Sequence, residues 1–352
     1  MKAIYFSLYL LGCALHVSAQ TIKIVDNTGR LSGDHVFPTF GEAFDAASPG
    51  DTIQVVPSND PYGNLDISGK DDITVFGIGF NPVTGGQSER VLFENGIISG
   101  ANNITVSGIV VTRNFNIQGN STPELANNIR LDNCFIGQFF TIGANSGTGT
   151  GMLRNVVINN CIVERETTVN SRTDAVIFNN SVFSGVSLTT VQVDNGANAV
   201  FNHCLFLGIS TSDLSSNLNN TIIQNSIFYG VEPRIGSSLF SDNRLESNII
   251  AGAADPTVVG FDVDINNVIV EQSDLFADDS FVLSAQYDLT VDPTPSSSLA
   301  LGQATDGTDI GLTGGLGFSR TGTILPIISN LSVPGTVRTG EQLEITIEAT
   351  GN

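Results

Sequence analysis

From residue 129 to residue 250 the chain repeats a short pattern in which apolar residues alternate with other residues and stop at a polar pair such as Asn-Asn. Each copy has β-branched and aromatic residues on both sides of that pair, so it predicts a strand, a tight turn and a second strand. Segments 73–78 and 104–109 are two earlier copies. The small residue after the pair recurs every 20 to 27 residues, at Cys134, Cys161, Ser181, Cys204, Ser226 and, more weakly, Asn248.

A repeat of this length without helical periodicity predicts a solenoid of β-coils, and it lacks the leucine skeleton of leucine-rich repeats. Because side chains alternate along a strand, two columns before the turn and one column after it should point into the core. The inward residues are Ile129, Val156, Val176, Ala199 and Thr221; Leu131, Ile158, Phe178, Phe201 and Ile223; and Ile136, Val163, Phe183, Phe206 and Phe228. An intermediate column is also apolar, so we expect this outer face to be partly covered; its members are Val157, Ile177, Val200 and Ile222.

Two adjacent columns of polar residues mark the turn. One contains Asn133, Asn160, Asn180, His203 and Asn225, and the column before it contains Asp132, Asn159, Asn179, Asn202 and Gln224. Asn tolerates the left-handed backbone of a tight turn, and stacked Asn side chains can hydrogen-bond from coil to coil. On these columns, residues 20–320 resemble the right-handed parallel β-helix proteins of the pectate-lyase-like superfamily, as found in exported bacterial proteins. The resemblance implies an all-β solenoid with a ladder in one of the two columns, and it is not specific for activity.

Both ends of an open solenoid need caps, because they expose strand edges. At the N-terminal end, residues 38–47 predict a capping helix with Thr39 and Glu42 at capping-box spacing, followed by a first strand at residues 51–56. At the other end, residues 305–311 and the following Gly314-Gly315 resemble the closing segment of bacterial surface β-helices.

The predicted organisation begins with a secretory signal peptide at residues 1–19. It has a positive start at Lys2, a short apolar run and a small-residue cleavage pattern that ends at Ala19. A lipoprotein signal with Cys13 as the acylated residue is the minor alternative. The remaining segments are an N-terminal cap and first coil (20–70), the parallel β-helix (71–325) and a C-terminal β-hairpin or truncated sandwich module (326–352). We therefore expect a secreted or cell-surface protein without a transmembrane segment.

Charge excludes several classes of partner. The formal net charge is -21, with Asp+Glu 35 against Lys+Arg 14, and only 14% of residues are charged. Such an excess of acid repels phosphate backbones and anionic headgroups, which argues against nucleic acids and polybasic membrane binding. After signal cleavage three cysteines remain, an odd number that argues against a disulfide-stapled scaffold.

Candidate chemistry centres on one charged cluster. Lyases of the superfamily that this sequence resembles use an Arg or Lys base together with carboxylates that hold calcium. The resemblance therefore makes Arg165 and Arg172 the candidate bases. The candidate ligand-binding residues are Glu164, Glu166 and Asp174, and the strand at 167–171 between them would line a groove. Arg154, Asp194 and Asn195 should lie one coil away. Solvated loop charges are the favoured alternative for the whole cluster.

Other candidates have structural explanations that we prefer. Asp306 with Asp309, or Asp262 with Asp264, could bind calcium through oxygen ligands, but turn capping is favoured. His203 occupies the Asn column, where a ladder substitute is favoured over a catalytic base. Stacked, reduced thiols are favoured over a disulfide between Cys134 and Cys161. No cofactor is predicted, with calcium the one metal still to be tested.

The sequence supports two functions from different classes. The first is an exported extracellular or cell-surface β-helix module that binds a polysaccharide or a surface protein without catalysis, because the repeat and both caps are intact while the hydrolase motifs of the superfamily are missing. The alternative is a calcium-dependent acidic-polysaccharide lyase. Trp is absent and Tyr is 5 in total, so an aromatic groove of Trp and Tyr platforms is not predicted.

Overall fold

The computed structural model of the protein describes residues 21–80, 90–119, 126–143, 152–184, 190–215, 217–235, 240–252, 258–277, 293–319, 327–332 and 346–350. The predicted signal segment, with Cys13 and Ala19, lies outside the described residues. Among the residues described, no helix has both the length and the apolar character that crossing a membrane requires.

Three parallel sheets form the walls of the described part of the chain. The long sheet has 12 strands, in spatial order Val36–Phe37, Ile22–Val25, Thr52–Val55, Thr74–Phe76, Ile104–Ser107, Ala126–Asp132, Leu153–Asn159, Thr173–Asn179, Ala199–Asn202, Thr221–Gln224, Arg244–Glu246 and Val263–Ile265. The middle sheet has nine: Leu92–Phe93, Val110–Val111, Phe135–Ile136, Ile162–Val163, Val182–Ser184, Leu205–Ser215, Ile227–Ile235, Ile249–Ala251 and Val268–Val270. The short sheet has six: Leu65–Ser68, Gly96–Ser99, Phe115–Gln118, Phe140–Ile142, Thr167–Val169 and Val191–Val193.

The chain visits the long, middle and short sheets in turn, and in each sheet a strand pairs in parallel with the strand one coil further on. This connectivity makes the fold a parallel β-helix, as the sequence repeat predicts. Smaller elements are the helix Phe40–Ala46, the 3-10 turn Gln272–Asp274, a parallel pair (Leu218–Asn219, Phe240–Ser241) and an antiparallel pair (Ile327–Ser332, Thr346–Thr350).

The inward columns predicted from the sequence are confirmed. All 15 of their side chains are at most 1% exposed. Phenylalanine rings stack from coil to coil inside the helix: the rings of Phe178 and Phe201 lie 4.6 Å apart and nearly parallel, and those of Phe206 and Phe228 lie 4.9 Å apart. Alternation along short strands therefore decides the core, because adjacent side chains must face opposite sides of a sheet.

The two polar columns of the turn have different structural roles. In the column that contains Asn160, the residues have left-handed backbone, with φ between 46° and 54° from Asn133 to Asn225. In the preceding column the amides hydrogen-bond from coil to coil: Asn159 Nδ2 donates to Asp132 Oδ1 at 2.8 Å, and Asn179 Nδ2 donates to Asn159 Oδ1 at 3.0 Å. The ladder therefore lies in the preceding column, an alternative that the sequence left open.

The N-terminal cap is confirmed, with one addition. The helix begins after Thr39, whose Oγ1 accepts a hydrogen bond from the Glu42 N–H at 3.3 Å. At its other end Lys70 Nζ donates to the carbonyls of Phe44, Asp45 (2.9 Å) and Ala47 (3.0 Å), which places a cation where the helix dipole favours one. The first strand of the long sheet by chain order is Ile22–Val25, so the expectation that the sheet begins at residues 51–56 was wrong.

Residues 293–319, here called the strap, run back along the outside of the middle sheet. Its contacts reach successively earlier coils, from the bridge between Phe276 and Pro295 to the stacked rings of Phe80 and Phe318, 6.1 Å apart. The strap buries the outward column of the middle sheet, whose members Ile162, Val182, Leu205 and Ile227 are at most 1% exposed. The covered apolar column is therefore this one. In the column on the long sheet that the sequence predicts to be partly covered, Ile177 is 36% exposed and Val157, Val200 and Ile222 are half-buried.

The left-handed turn column holds the strap in place. Asn180 Nδ2 donates to the carbonyls of Leu312 (2.9 Å) and Gly314 (2.7 Å). Asn225 Oδ1 accepts from the Thr305 N–H at 2.8 Å.

His203 is a buried docking residue for the strap. Its Nε2 lies 3.0 Å from Asp306 Oδ2, and its ring is fully buried. A Cβ at Gly315 would come within 2.7 Å of the ring, so the strap needs glycine there. Burial alone would raise the pKa of Asp306, but hydrogen bonds from Thr308 and His203 and the nearby imidazole outweigh it and lower that pKa to about 2.

The cysteines are reduced and buried. Cys134, Cys161 and Cys204 are free thiols in the core, as favoured from the sequence. Burial raises the pKa of Cys161 well above its ordinary range, with hydrogen bonding to Cys134 adding to it, and burial raises the pKa of Cys204 to about 12. The thiols are therefore core residues of low nucleophilicity.

Candidate functional site

The outer face of the short sheet carries a row of mostly polar side chains. Its strands alternate buried and outward residues, and the register aligns one outward residue from each strand in a row parallel to the helix axis. This row, here called the short-sheet face, contains Asp66, Ile97, Asn116, Thr141, Thr168 and Gln192. Neighbouring members are one coil apart, about 4.8 Å.

An exposed aromatic ring borders this face. Phe139 immediately precedes the strand Phe140–Ile142, and it is 43% exposed while Phe140 is fully buried. Backbone hydrogen bonds align Phe139 with Asn114 in the preceding coil and with Glu166 in the next one. The ring therefore lies among polar groups, open to solvent on a wall that carries hydroxyls, amides and carboxylates.

Two arginines lie beside the ring. Arg113 and Arg165 are both exposed, and Gln138, between them in the column, donates its backbone N–H to the Arg113 carbonyl at 3.1 Å. The two arginines are thus two coils apart, roughly 10 Å at the spacing of strands in a sheet. They place positive charge on a face that otherwise presents neutral and acidic groups.

Glu166, one of the residues singled out from the sequence, lies on this face. Its Oε1 accepts hydrogen bonds from Thr168 Oγ1 and Gln192 Nε2, both at 3.0 Å. These contacts hold the carboxylate of Glu166 in one position against the wall. A preoriented carboxylate can accept hydrogen bonds from hydroxyl groups of a ligand.

The other half of the predicted cluster lies at the opposite end of the strand Thr167–Val169. Arg172 is exposed in the turn that follows, with φ 69°, and Asp174 belongs to the long sheet, where its Oδ1 accepts from Asn198 Nδ2 at 3.0 Å. Three extended residues separate the two halves by roughly 10 Å. The structure therefore brings Arg165 and Glu166 to one edge of the short-sheet face and Arg172 and Asp174 to the other. Arg154 and Asp194 lie one coil away, as expected.

Glu164 differs electrostatically from the other carboxylates of the cluster. It follows the middle-sheet strand Ile162–Val163 and is half-buried. Burial raises the pKa of Glu164, and the positive charge of Arg165 opposes that change only in part. A raised carboxyl pKa means that the ionised form is less stable in the folded protein than in the unfolded chain.

We expect Glu164→Gln to increase the stability of the fold at neutral pH. Because the folded-state pKa lies above the unfolded value of roughly 4.3, the native state binds more protons, and stability is lost as pH rises through the folded pKa. The amide removes that loss. Urea midpoints of the variant and the parent should differ at about pH 7 and converge at about pH 3.5, below both pKa values. A difference of the same size at both pH values would show that the charge of Glu164 is not the cause.

The carboxylates considered as calcium ligands have other hydrogen-bonding roles in the fold. Within the described ranges, no group of three or more His, Cys, Asp or Glu side chains is arranged to hold a metal ion. Asp306 accepts the backbone N–H of Thr308 at 3.0 Å, and Asp262 accepts that of Asn243 at 2.9 Å, so both carboxylates cap turns as favoured from the sequence. The assignment of Glu164, Glu166 and Asp174 as ligands stays a prediction.

His203, which the sequence analysis weighed as a catalytic base and favoured as a substitute in the turn column, has a structural role in holding the strap. Phe139 was not among the candidate residues, because only Trp and Tyr were considered as exposed aromatic residues. The signal was present in the Phe139-Phe140 pair. Adjacent residues of a strand face opposite sides, so one of the two rings had to point outward.

The sheet topology defines the class: the chain is a parallel β-helix protein. No family model matches the sequence, and no curated protein matches it significantly. Among solved structures, it is similar to a pectate lyase, Pel9A, at 13% identity and a TM-score of 0.44, over 84% of this chain and 96% of that chain.

Two further solved structures are similar at lower coverage. They are a rhamnogalacturonan lyase (11% identity, TM-score 0.45, 73% of this chain and 91% of that chain) and the GH136 lacto-N-biosidase from Eubacterium ramulus (10% identity, TM-score 0.38, 77% and 70%). At these values the similarities concern the general fold and carry nothing about activity.

Proposed function

We propose that the protein binds a glycan chain along the short-sheet face without cleaving it. The observation that carries the proposal is the exposed ring of Phe139 beside hydrogen-bonding groups that repeat once per coil. A sugar presents an apolar C–H face and a rim of hydroxyls, and binding sites for such ligands combine an apolar or aromatic surface with a few placed polar groups.

The periodicity of the face suits a polymer that lies parallel to the helix axis. Asn116, Thr141, Thr168 and Gln192 offer donors and acceptors at steps of about 4.8 Å. Glu166 is already held by Thr168 and Gln192, so a bound chain need not order it. Preorganised groups of this kind lower the entropic cost of binding.

Binding without catalysis is the better-supported form of the proposal. A cleavage reaction needs a base within hydrogen-bond reach of the proton it removes, together with groups that stabilise the developing charge. The candidate base Arg172 lies at the opposite edge of the strand from Glu166. Arg165 lies beside Glu166, with its side chain exposed to solvent.

Phe139→Ala tests the proposal. We expect the dissociation constant to be about ten-fold larger, because loss of a stacking ring removes roughly 1.4 kcal/mol of binding free energy. The measurement is isothermal titration calorimetry, after affinity electrophoresis against polygalacturonate, rhamnogalacturonan, hydroxyethylcellulose and mannan has selected the ligand.

Leu316→Ala serves as the matched control, because Leu316 is an apolar side chain 77% exposed on the strap. The Leu316→Ala variant should bind like the parent protein. Phe139→Tyr keeps an aromatic ring at this position, so it should bind more tightly than Phe139→Ala. Equal affinities of the parent and Phe139→Ala for every glycan would refute the proposal. Release of unsaturated sugars in the presence of calcium, abolished by Arg165→Ala or Arg172→Ala, would instead establish the lyase alternative.

A further inference from the structure

A shallow cavity lies on the outer face of the long sheet, away from the short-sheet face. Its volume is about 330 Å³, near the lower end of the range for small-ligand sites. It is lined by Asn103, Thr105, Asn128, Ile129, Arg130, Asn155 and Val157. These residues come from three successive coils, because Thr105, Arg130 and Val157 are register partners in adjacent strands.

A hydrogen-bonded row of side chains forms one wall of this cavity. Asn103 Nδ2 donates to Asp72 Oδ1 (2.8 Å), Asn128 Nδ2 to Asn103 Oδ1 (2.9 Å) and Asn155 Nδ2 to Asn128 Oδ1 (3.2 Å). All four residues have left-handed backbone. The row ends at Asn155 because its register neighbour is Ala175, whose methyl side chain cannot hydrogen-bond. Aligned amides polarise one another, so Asn155 Oδ1, at the carbonyl end of the row, is a strengthened acceptor.

An ion pair forms the opposite wall. Arg130 Nε donates to Asp132 Oδ2, and the Arg130 side chain remains 55% exposed. The hydrogen bond that Arg130 donates to Asp132 raises the pKa of Arg130, so the guanidinium keeps its charge. Since the contact uses only Nε, the two terminal nitrogens can donate to a ligand while the pair carries no net charge.

An aliphatic row continues from the cavity along the helix axis. Val157 at the cavity is followed, one coil at a time, by Ile177, Val200 and Ile222, and the row ends at a second ion pair, Arg244 with Glu246 at 2.7 Å. The coils are about 4.8 Å apart. This row offers apolar contact once per coil. The hydrogen-bonded row that ends at Asn155 offers polar groups at the same spacing.

We propose that this cavity and the aliphatic row bind an uncharged polysaccharide, at a site separate from the short-sheet face. One sugar unit occupies the cavity, where the guanidinium of Arg130 donates to its hydroxyls and Asn155 Oδ1 accepts from them. The C–H face of the unit packs on Val157, and the following units lie over Ile177 and Val200. The inference concerns a different wall of the helix and does not rest on the function proposed above.

Charge decides in favour of an uncharged chain. The arginines at the two ends of the aliphatic row are each paired with a carboxylate, Arg130 with Asp132 and Arg244 with Glu246, so neither end of the row carries an excess of positive charge. The whole chain has a formal net charge of -21, which repels a polyanion. Neighbouring donors and acceptors without net charge match the hydroxyl groups of a neutral sugar.

The test uses the full chain with Phe139→Ala already introduced, so that the short-sheet face contributes less to the signal. Hydroxyethylcellulose and a short cello-oligosaccharide are the uncharged probes, and polygalacturonate is the charged one. Adding Asn155→Gly, which keeps a residue tolerant of the left-handed backbone, or Val157→Glu should weaken binding of both uncharged probes about ten-fold. Val200→Glu, two coils further on, should weaken binding of the polymer and leave that of the short oligosaccharide unchanged.

Unchanged melting temperatures will show that the cavity variants remain folded, and both alter residues outside the core. Uncharged probes that bind equally with and without Asn155→Gly and Val157→Glu would overturn the inference, as would their failure to bind at all. Polygalacturonate bound at the cavity as tightly as hydroxyethylcellulose would also overturn it. Failure of the function proposed for the short-sheet face would show elsewhere, as equal binding by the parent and Phe139→Ala.

Discussion

Phe201→Ala is expected to lower the free energy of unfolding by about 3–5 kcal/mol, the range for deleting a buried aromatic side chain. The ring is fully buried, stacks on Phe178 at 4.6 Å and meets the ring of Phe183 edge-on at 5.4 Å. Its removal leaves a cavity that coils on both sides cannot fill, because their backbones are fixed by the parallel ladders. Equilibrium unfolding in urea, followed by circular dichroism, measures the effect.

Val200→Ala is the matched control for this prediction. Val200 precedes Phe201 in the strand Ala199–Asn202 but faces outward and is half-buried. Its truncation removes fewer buried contacts, so its urea midpoint should stay much closer to that of the parent. Equal midpoints for Phe201→Ala and the parent would contradict the inward register of the whole column.

His203→Ala is expected to release the strap and to lower the free energy of unfolding by about 2–4 kcal/mol, from a new cavity and a lost hydrogen bond. The imidazole lies under Gly314 and Gly315, and its Nε2 contacts Asp306. Alanine also has a higher cost than the native residue at the positive φ of 54°. Urea unfolding gives the stability, and limited proteolysis at residues 293–319 reports whether the strap has detached.

His203→Asn separates the two causes. Asparagine occupies the same turn position in the neighbouring coils at Asn180 and Asn225, with φ of 46° and 52°, so it should accept the backbone. It is too short to replace the ring beneath the glycines. We expect an intermediate loss of stability with the strap still more accessible to protease than in the parent. A strap equally protected in His203→Ala and the parent would show that His203 does not hold it.

The coils could be predicted from the sequence because their determinants are local. Alternation places Phe178, Phe201 and Phe206 inside whatever the neighbouring strands do, and the recurrence of the turn places those strands in register. The division of labour between the two turn columns could not be predicted. Asn159 and Asn160 are the same residue type, and only the backbone conformation shows that one forms the ladder while the other turns the chain and, in later coils, binds the strap.

The candidate site was predicted only in part. The sequence placed Glu166 and Arg172 around one strand, and the structure shows them at opposite edges of it. Glu166 and Arg172 are close along the chain but far apart in space, because the strand between them is extended. The cavity of Asn155 and Arg130 could not be predicted from the sequence, because these two residues are 25 positions apart along the chain and come together only through strand register.

The sequence by itself determined the β-helix, its core columns, its capping helix and the absence of excess positive charge, since each depends on periodicity, local capping or composition. Only the tertiary structure decided which outer column is covered and which polar groups meet. Residues 293–319 lie far along the chain from the coils that they cover, and their docking depends on Asn180, His203 and Asn225. Contacts of such long range are set by how the coils stack, which no local pattern encodes.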